Sequence, residues 1–351
     1  MGLLTTCIGA YPKPGYVPMP DWFKIEHGLT DAAGEVTRLA GRIEEDAEVE
    51  ALYRRATEAA VADQVACGID IPTDGEQRRE NYIHYHCRHL AGFDFDRLTE
   101  LTVRDGAYRA ELPTIRGRIE PRGDNFLDRD YRVAQSATDR PVKITVPGPT
   151  TIMDTCANAH YQDPKELAFD LATALNFEIR SLAAAGCGHV QVDEPLFARN
   201  VTRALEYGIE CLDRCFDGVP GDVTRIMHMC CGYPDHLDDR EYHKADPLAY
   251  FQLARAVDRS SVDQVSLEDA HCHNDLSLLE EFEHSTVILG SVTIARSAIE
   301  KEDDIALRLA RALEHIDRGR LMVAPDCGLA MLGRDRAMAK LRAMCAAAAS
   351  L

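Results

Sequence analysis

Two metal-binding side chains, His228 and Cys230, lie two residues apart in a short apolar segment of the sequence. On a β-strand this spacing places both side chains on one face. A histidine and a cysteine supply half of a tetrahedral zinc site. Cys327 and Glu268 each follow another short apolar segment, and a barrel of parallel strands would bring such strand ends to one point. The pattern therefore predicts a zinc site of one nitrogen, two sulfurs and one carboxylate.

A metal site of this composition favours chemistry at sulfur. A thiol that binds zinc loses its proton near neutral pH, so the thiolate nucleophile forms without a separate base. The residues therefore predict a zinc-dependent reaction in which a bound thiol is the nucleophile.

Other residues compete for these roles. Cys231 follows Cys230 but would point to the opposite face of the strand. Glu76 and Asp193 follow two further strand-like segments, where they could also be a surface carboxylate and part of a helix cap. Two histidine and cysteine clusters could contribute a ligand or belong to surface or substrate loops: His84, His86, Cys87 and His89, and His271, Cys272 and His273.

Eight short strand-like segments are spread along the chain, and most are continuous apolar runs, as expected for parallel strands covered on both faces. They are residues 3–9, 68–73, 142–146, 189–192, 224–229, 262–267, 286–290 and 321–324. Helical patterns separate several of them, with Asp163-Pro164 as a typical helix start and Gly186 as a typical helix end.

The alternation of strands and helices predicts an α/β fold, a single (β/α)8 TIM barrel that spans residues 1–351. In such a barrel the active site lies at the carboxyl ends of the strands. Residues 77–140 are too long and polar for a simple connection. They are predicted to form an excursion after strand 2, over one end of the barrel.

Charge and composition restrict the partners. The 351 residues carry a formal net charge of -19, and so acidic a surface repels phosphate backbones, which argues against nucleic acid as a partner. The sequence has no apolar run of about 18 residues, so no membrane span is expected, and no signal-peptide pattern at its N-terminus. Its 12 scattered cysteines are typical of reduced thiols, which favours a cytoplasmic location.

Five motifs, taken in order, resemble those of a known family. They are Thr5-Thr6-Cys7-Ile8-Gly9, Asp74-Gly75-Glu76, Val190-Gln191-Val192-Asp193-Glu194-Pro195, His228-Met229-Cys230 and Pro325-Asp326-Cys327-Gly328. In this order they resemble the catalytic C-terminal half of cobalamin-independent methionine synthase, within the superfamily that also contains uroporphyrinogen decarboxylase.

The resemblance implies that zinc is the cofactor and that a small thiol, homocysteine or an analogue, is the acceptor. Its implied zinc ligands are His228, Cys230, Glu268 and Cys327. It also implies that Glu76 and Asp193 hold the amino group of the acceptor, and it places Gly9 in the substrate-binding motif. Two carboxylates around one ammonium group make strong, charge-assisted hydrogen bonds.

Two positions depart from the family pattern. Ala10 follows Gly9 where the family normally has a serine that helps to hold the substrate carboxylate. Arg296 stands where full-length enzymes have a proton-donating histidine, and it is the residue we assign to the catalytic position. Arginine does not release a proton at useful rates, but its guanidinium group can hold an anion through paired hydrogen bonds.

The predicted function is zinc-dependent transfer of a methyl group to a zinc-bound thiol, which gives methionine when the thiol is homocysteine. The donor is a folate, a corrinoid or another methyl compound, and a partner protein could deliver it, because short members of the family differ in this respect. Alkyl transfer to another thiol, as in an epoxide-opening transferase, and a decarboxylase of the same superfamily are the alternatives.

Overall fold

A computed structural model of the chain describes residues 2–18, 46–103, 108–123, 125–233, 236–239, 244–246 and 248–351. Its strands, in chain order, are β1 (Leu90–Val103), β2 (Tyr108–Pro121), β3 (Lys143–Pro147), β4 (Ala157–Asn158), β5 (His189–Asp193), β6 (Thr224–Met229), β7 (Gln264–Leu267), β8 (Thr286–Gly290) and β9 (Leu321–Ala324). Its α-helices are Ala47–Cys67, His84–Arg88, Leu127–Gln135, Pro149–Asp154, Pro164–Ala184, Leu196–Arg199, Val201–Arg203, Ile209–Cys215, Leu248–Asp258, Glu302–Ala312 and Arg334–Ser350.

Six of the strands form one parallel sheet in the order β3-β5-β6-β7-β8-β9. Helices connect most of these strands, so the predicted α/β fold with a parallel sheet is confirmed. The helix predicted after Asp163 is confirmed as Pro164–Ala184. It begins there because the Asp163 side chain accepts a hydrogen bond from the backbone N–H of Lys165 at 2.9 Å. Gly186 follows it at a φ of 99°, a left-handed conformation that glycine adopts readily. Among these helices none is long and apolar enough to cross a membrane.

The first two predicted strands, residues 3–9 and 68–73, are not regular strands, and this prediction is wrong. They contribute only isolated parallel bridges, which pair Thr5 with Val323, Thr6 with Ile71, and Thr73 with Lys143.

Side chains contribute to this difference, because they take some of the hydrogen bonds that a strand ladder would use. The carboxylate of Asp70 accepts hydrogen bonds from the backbone N–H and the hydroxyl of Thr5, both at 2.9 Å. The amide of Gln64 bonds both the N–H and the C=O of Thr73, at 2.9 and 3.0 Å. Polar side chains thus hold the segment that leads into Asp74 and Glu76.

The predicted excursion, residues 77–140, contains the antiparallel hairpin of β1 and β2; residues 104–107 and 124 lie outside the described part. Strand β2 pairs in parallel with the short strand β4. The hydroxyl of Tyr161 accepts a hydrogen bond from the backbone N–H of Ile119 at 2.7 Å and donates one to Asp170 at 2.8 Å. Because Asp170 belongs to the helix Pro164–Ala184, these bonds tie the hairpin to the connection that follows β3.

The two faces of the parallel sheet differ in chemistry. One face presents apolar side chains that join the main core, such as Val192, Met227 and Val265. Because successive side chains of a strand alternate between faces, the other face presents the residues between them. It carries a small apolar cluster, made of Ile8, Ile71, Ile226, Ile288, Met322 and Ala324, and a set of buried polar residues, namely Lys143, Thr145, Gln191, Asp193, His228 and Ser266. The candidate site is built on this second face.

Candidate active site

Three of the four predicted zinc ligands come together at the carboxyl ends of the strands. The ligand atoms of His228, Cys230 and Cys327 all lie within 4.8 Å of one another. His228 is in β6, Cys230 directly follows that strand, and Cys327 follows β9. The spacing of two residues between the first pair therefore has the predicted effect, since both side chains reach the same point.

His228 is oriented by a neighbouring strand. Its Nδ1 atom lies 3.0 Å from the hydroxyl oxygen of Ser266 on β7. The other ring nitrogen, Nε2, is buried and has no hydrogen-bond partner among the described residues. A buried nitrogen without a partner is costly, and a hydrogen bond at the first nitrogen is the usual way to present the second one to a metal.

The two thiols of the site are coupled to each other. A hydrogen bond from the Cys327 thiol, together with the nearby His228, holds the pKa of Cys230 well below its usual range. The same hydrogen bond and burial raise the pKa of Cys327. The pair therefore favours a state in which one thiolate and one thiol share a proton, and the thiolate is the stronger metal ligand.

Glu268, the fourth predicted ligand, lies next to this group but is not part of it. Its Oε2 atom accepts a hydrogen bond from Lys244 at 2.9 Å, whereas Oε1 is buried without a partner in the described residues. Burial and the neighbouring Cys230 charge raise the pKa of Glu268. One free, buried carboxylate oxygen beside two sulfurs and an imidazole nitrogen is a donor set that suits zinc.

A second close group, Glu268 with His271 and Asp326, is explained by hydrogen bonds. Asp326 accepts hydrogen bonds from the backbone N–H groups of Asp269, Ala270 and His271 and lies 2.6 Å from His271 Nδ1. The Nε2 atom of His271 accepts one from the N–H of Ala295 at 3.1 Å. His271 thus uses both ring nitrogens to join the ends of β7, β8 and β9, and it is poorly suited to bind a metal.

The other histidine cluster, His84 to His89, is also held by hydrogen bonds. His84 Nε2 lies 3.1 Å from the carbonyl oxygen of Thr155, and His86 Nδ1 lies 2.8 Å from that of Tyr82. Where the chain is described, none of the cluster's members belongs to a group of three close ligand atoms. In the described residues, the cluster is therefore separate from the close group of His228, Cys230 and Cys327.

Glu76 occupies an unusual backbone position in the loop after the second segment. Its φ is 54°, a conformation that non-glycine residues seldom adopt and that recurs at functional sites. Its Oε1 atom accepts a hydrogen bond from the Thr145 hydroxyl at 2.8 Å and lies 3.5 Å from the guanidinium of Arg79. Burial nevertheless raises the pKa of Glu76. A Cβ atom on Gly9 would lie 2.4 Å from the same oxygen, so Gly9 makes room for this carboxylate.

Asp193 and Glu194 point to different sides of β5. Asp193 pairs in register with His228 on β6, and burial raises its pKa to about 7. Glu194 accepts hydrogen bonds from the backbone and hydroxyl groups of Thr150 and Thr151, at the start of the helix Pro149–Asp154. The helix-cap interpretation therefore applies to Glu194, whereas Asp193 faces the candidate site.

Arg296 lies outside this buried group. Its side chain is exposed, and it follows Ala295, whose N–H bonds His271. The loop after β8 is therefore fastened to the ends of β7 and β9. This places the backbone of Arg296 at the carboxyl edge of the sheet.

Six residues that shape the site were given no role from the sequence, although Gln191 and Asp326 lie within the family motifs. They are Arg79, Lys143, Thr145, Gln191, Ser266 and Asp326. A signal was present for four of them, because polar residues alternate with apolar ones in the segments Lys143–Thr145, Gln191–Asp193 and Ser266–Glu268. In strands otherwise buried on both faces, such alternation indicates a polar interior face.

Known proteins resemble this chain in sequence and in structure. A methionine synthase from Thermococcus kodakarensis is 31% identical over 97% of this chain and 90% of its own length. One from Sulfolobus acidocaldarius is 29% identical, over 97% and 89%. The structure of a B12-independent methionine synthase from Shewanella sp. W3-18-1, in complex with selenomethionine, superposes with a TM-score of 0.84 at 28% identity and covers 99% of this chain and 97% of that one.

The family comparison covers nearly the whole chain. Residues 3–350 match the family described as the catalytic domain of cobalamin-independent synthase. The chain is therefore an enzyme, and it belongs to the cobalamin-independent synthase catalytic-domain family.

Proposed function

We propose that this enzyme transfers a methyl group to the thiol of homocysteine and so forms methionine, with zinc as its cofactor. One observation carries the proposal. The ligand atoms of His228, Cys230 and Cys327 lie close together, beside the buried carboxylates of Asp193 and Glu268. The methionine synthases to which the chain is similar support the choice of substrate. The transferred carbon forms a bond to sulfur while its bond to the donor breaks.

The same proposal includes a closed (β/α)8 barrel, residues 1–351, with residues 77–140 as an excursion. The three isolated bridges support closure, since they link β9 through residues 5–6 and 71–73 to β3. The apolar cluster that contains Ile8, Ile226 and Ile288 also supports it. Its members come from distant strands and would fill the interior of such a barrel.

His228, Cys230, Glu268 and Cys327 would hold the zinc ion. The unpartnered Nε2 of His228 and Oε1 of Glu268 supply two donors, and the two cysteines supply the others. Zinc, when bound, would act as a Lewis acid that keeps the acceptor thiol deprotonated near neutral pH. Ser266 would keep the imidazole in place, and the Asp326 carboxylate would fix the backbone that carries Glu268.

Glu76 and Asp193 would bind the ammonium group of homocysteine. Burial raises the pKa of both carboxyl groups, and the charge of Glu76 adds to the effect on Asp193. A bound cation would relieve this repulsion, because charges interact strongly where water is excluded. The complex of the Shewanella relative with selenomethionine, an amino acid, is consistent with a site for an ammonium group.

Arg296 would bind an anionic part of the methyl donor. Its guanidinium is exposed at the carboxyl edge of the sheet, and it cannot act as a general acid. His271 cannot easily replace such an acid, since both of its ring nitrogens are engaged. We therefore propose a donor whose leaving group departs without protonation, a corrinoid or a methylated sulfur or oxygen compound, delivered alone or by a partner protein.

The zinc assignment predicts the metal content of cysteine variants. Purified protein should contain about one zinc ion per chain, and Cys230→Ser or Cys327→Ser should lose most of it, because serine is a poor replacement for thiolate. Cys231→Ser is the matched control and should keep its zinc, since Cys231 lies on the other side of the strand. Elemental analysis measures the outcome, and full zinc occupancy in both site variants would refute the assignment.

The ammonium site predicts a loss of acceptor affinity in Glu76→Gln. The glutamine keeps the shape and the Thr145 hydrogen bond but loses the charge, so homocysteine should bind about 1.5–3 kcal/mol more weakly. Gly9→Ala should also weaken the binding of homocysteine, because the added methyl group would displace the Glu76 carboxylate. Calorimetry on zinc-loaded protein measures the change, and Glu300→Gln, which removes a carboxylate paired with the buried Lys340, is the control. An unchanged affinity in Glu76→Gln would mean that the acceptor carries no ammonium group at this position.

The donor assignment predicts that methylfolate is a poor substrate for the isolated chain. Its basic amine leaving group needs a proton, and a well-placed general acid contributes about 10²–10⁴-fold to such a step. Single-turnover transfer to homocysteine should therefore be at least about 10²-fold slower from methylfolate than from methylcobalamin. Rapid transfer from methylfolate that Arg296→Ala leaves unchanged would show that another residue supplies the proton.

A further inference from the structure

A lysine lies in the interior of the sheet, on the face that carries the candidate site. Lys143, the first residue of β3, is completely buried. An ammonium group removed from water needs strong compensation. Yet the hydrogen bond of its Nζ atom goes to the side-chain amide of Gln191, at 2.6 Å, and not to a carboxylate.

The side-chain amide of Gln191 links Lys143 to Asp193. Its Nε2 atom donates hydrogen bonds to the carboxylate of Asp193 at 2.6 Å and to the carbonyl oxygen of Ile8 at 2.9 Å. Lysine has donors only, so the amide oxygen must face Lys143 and the NH₂ group must face the two acceptors. Lys143 thus holds the oxygen of the amide while the two acceptors hold its NH₂ group, and these contacts together fix the orientation of Gln191 beside the Asp193 carboxylate.

We propose that Lys143 and Gln191 are positioning residues that fix the Asp193 carboxylate for the ammonium group of the acceptor. The proposal rests on the function proposed above, in which Asp193 binds that group. Burial lowers the pKa of Lys143 to about 8, so the side chain keeps its charge at neutral pH. The charge of Asp193 acts in the opposite direction and helps to retain the proton.

The consequence is selectivity for amino-acid thiols. A fixed carboxylate contributes to the binding of homocysteine but adds nothing to the binding of 4-mercaptobutanoic acid, the same thiol without the amino group. Loss of Lys143 should therefore weaken the binding of homocysteine and leave the binding of 4-mercaptobutanoic acid almost unchanged. A purely structural role for the lysine would affect both thiols alike.

The test compares the two thiols by calorimetry on the zinc-loaded full chain. Lys143→Met should bind homocysteine about tenfold more weakly, with unchanged affinity for 4-mercaptobutanoic acid and unchanged zinc content. Gln191→Glu still accepts a hydrogen bond from Lys143 but has no N–H to donate to Asp193. It should show the same selective loss of homocysteine affinity. This variant keeps the test decisive if Lys143→Met does not fold. Lys340→Met is the matched control, because Lys340 is equally buried but pairs with Glu300 at 2.8 Å; it should lower thermal stability without changing either affinity.

Two results would overturn the inference, and they differ in what else they refute. If the wild-type protein prefers homocysteine but Lys143→Met and Gln191→Glu keep the full preference, only the positioning role is wrong. If the wild-type protein binds both thiols equally, the ammonium site of the proposed function fails as well.

Discussion

The candidate site depends on the register of the parallel strands. Asp193 on β5 pairs with His228 on β6, and His228 pairs with Ser266 on β7, so these three side chains form one row across the sheet. A shift by one residue in any strand would turn its polar side chain into the apolar core. The apolar residues between them, which pack against the helices, therefore fix the position of the polar ones. Metal-binding and carboxylate groups come from distant parts of the sequence, but one row of strand pairs sets their spacing.

Burial then determines the chemistry of this row. Carboxylates and thiols held away from water have shifted pKa values, and each is most stable with a cation beside it. The protein itself supplies part of the positive charge that these groups need, since Arg79 lies beside Glu76 and Lys244 beside Glu268. In the proposed function, a metal ion and the ammonium group of the acceptor would supply the remaining positive charge. The proposed site would bind these cations because the fold has already removed the anions from water.

The sequence predicted the parts that depend on local spacing. The pair His228 and Cys230 follows from the alternation along one strand, and the helix after Asp163 follows from its cap. Contacts between distant side chains could not be predicted in this way. Asp326 accepts hydrogen bonds from residues 55 to 57 positions away in the sequence. Gln64 and Asp70 take part of the strand ladder's hydrogen bonds in the first two segments. Such bonds depend on the three-dimensional positions of side chains, which the periodicity of the sequence does not reveal.

X-ray absorption at the zinc edge, on the full chain with and without homocysteine, tests the central claim most directly. Zinc–sulfur distances of about 2.3 Å are well separated from zinc–nitrogen and zinc–oxygen distances of about 2.0–2.2 Å. We predict two sulfur neighbours from Cys230 and Cys327 in the free protein, and a third when homocysteine binds. A zinc ion without sulfur neighbours, or a sulfur count that homocysteine does not change, would contradict it.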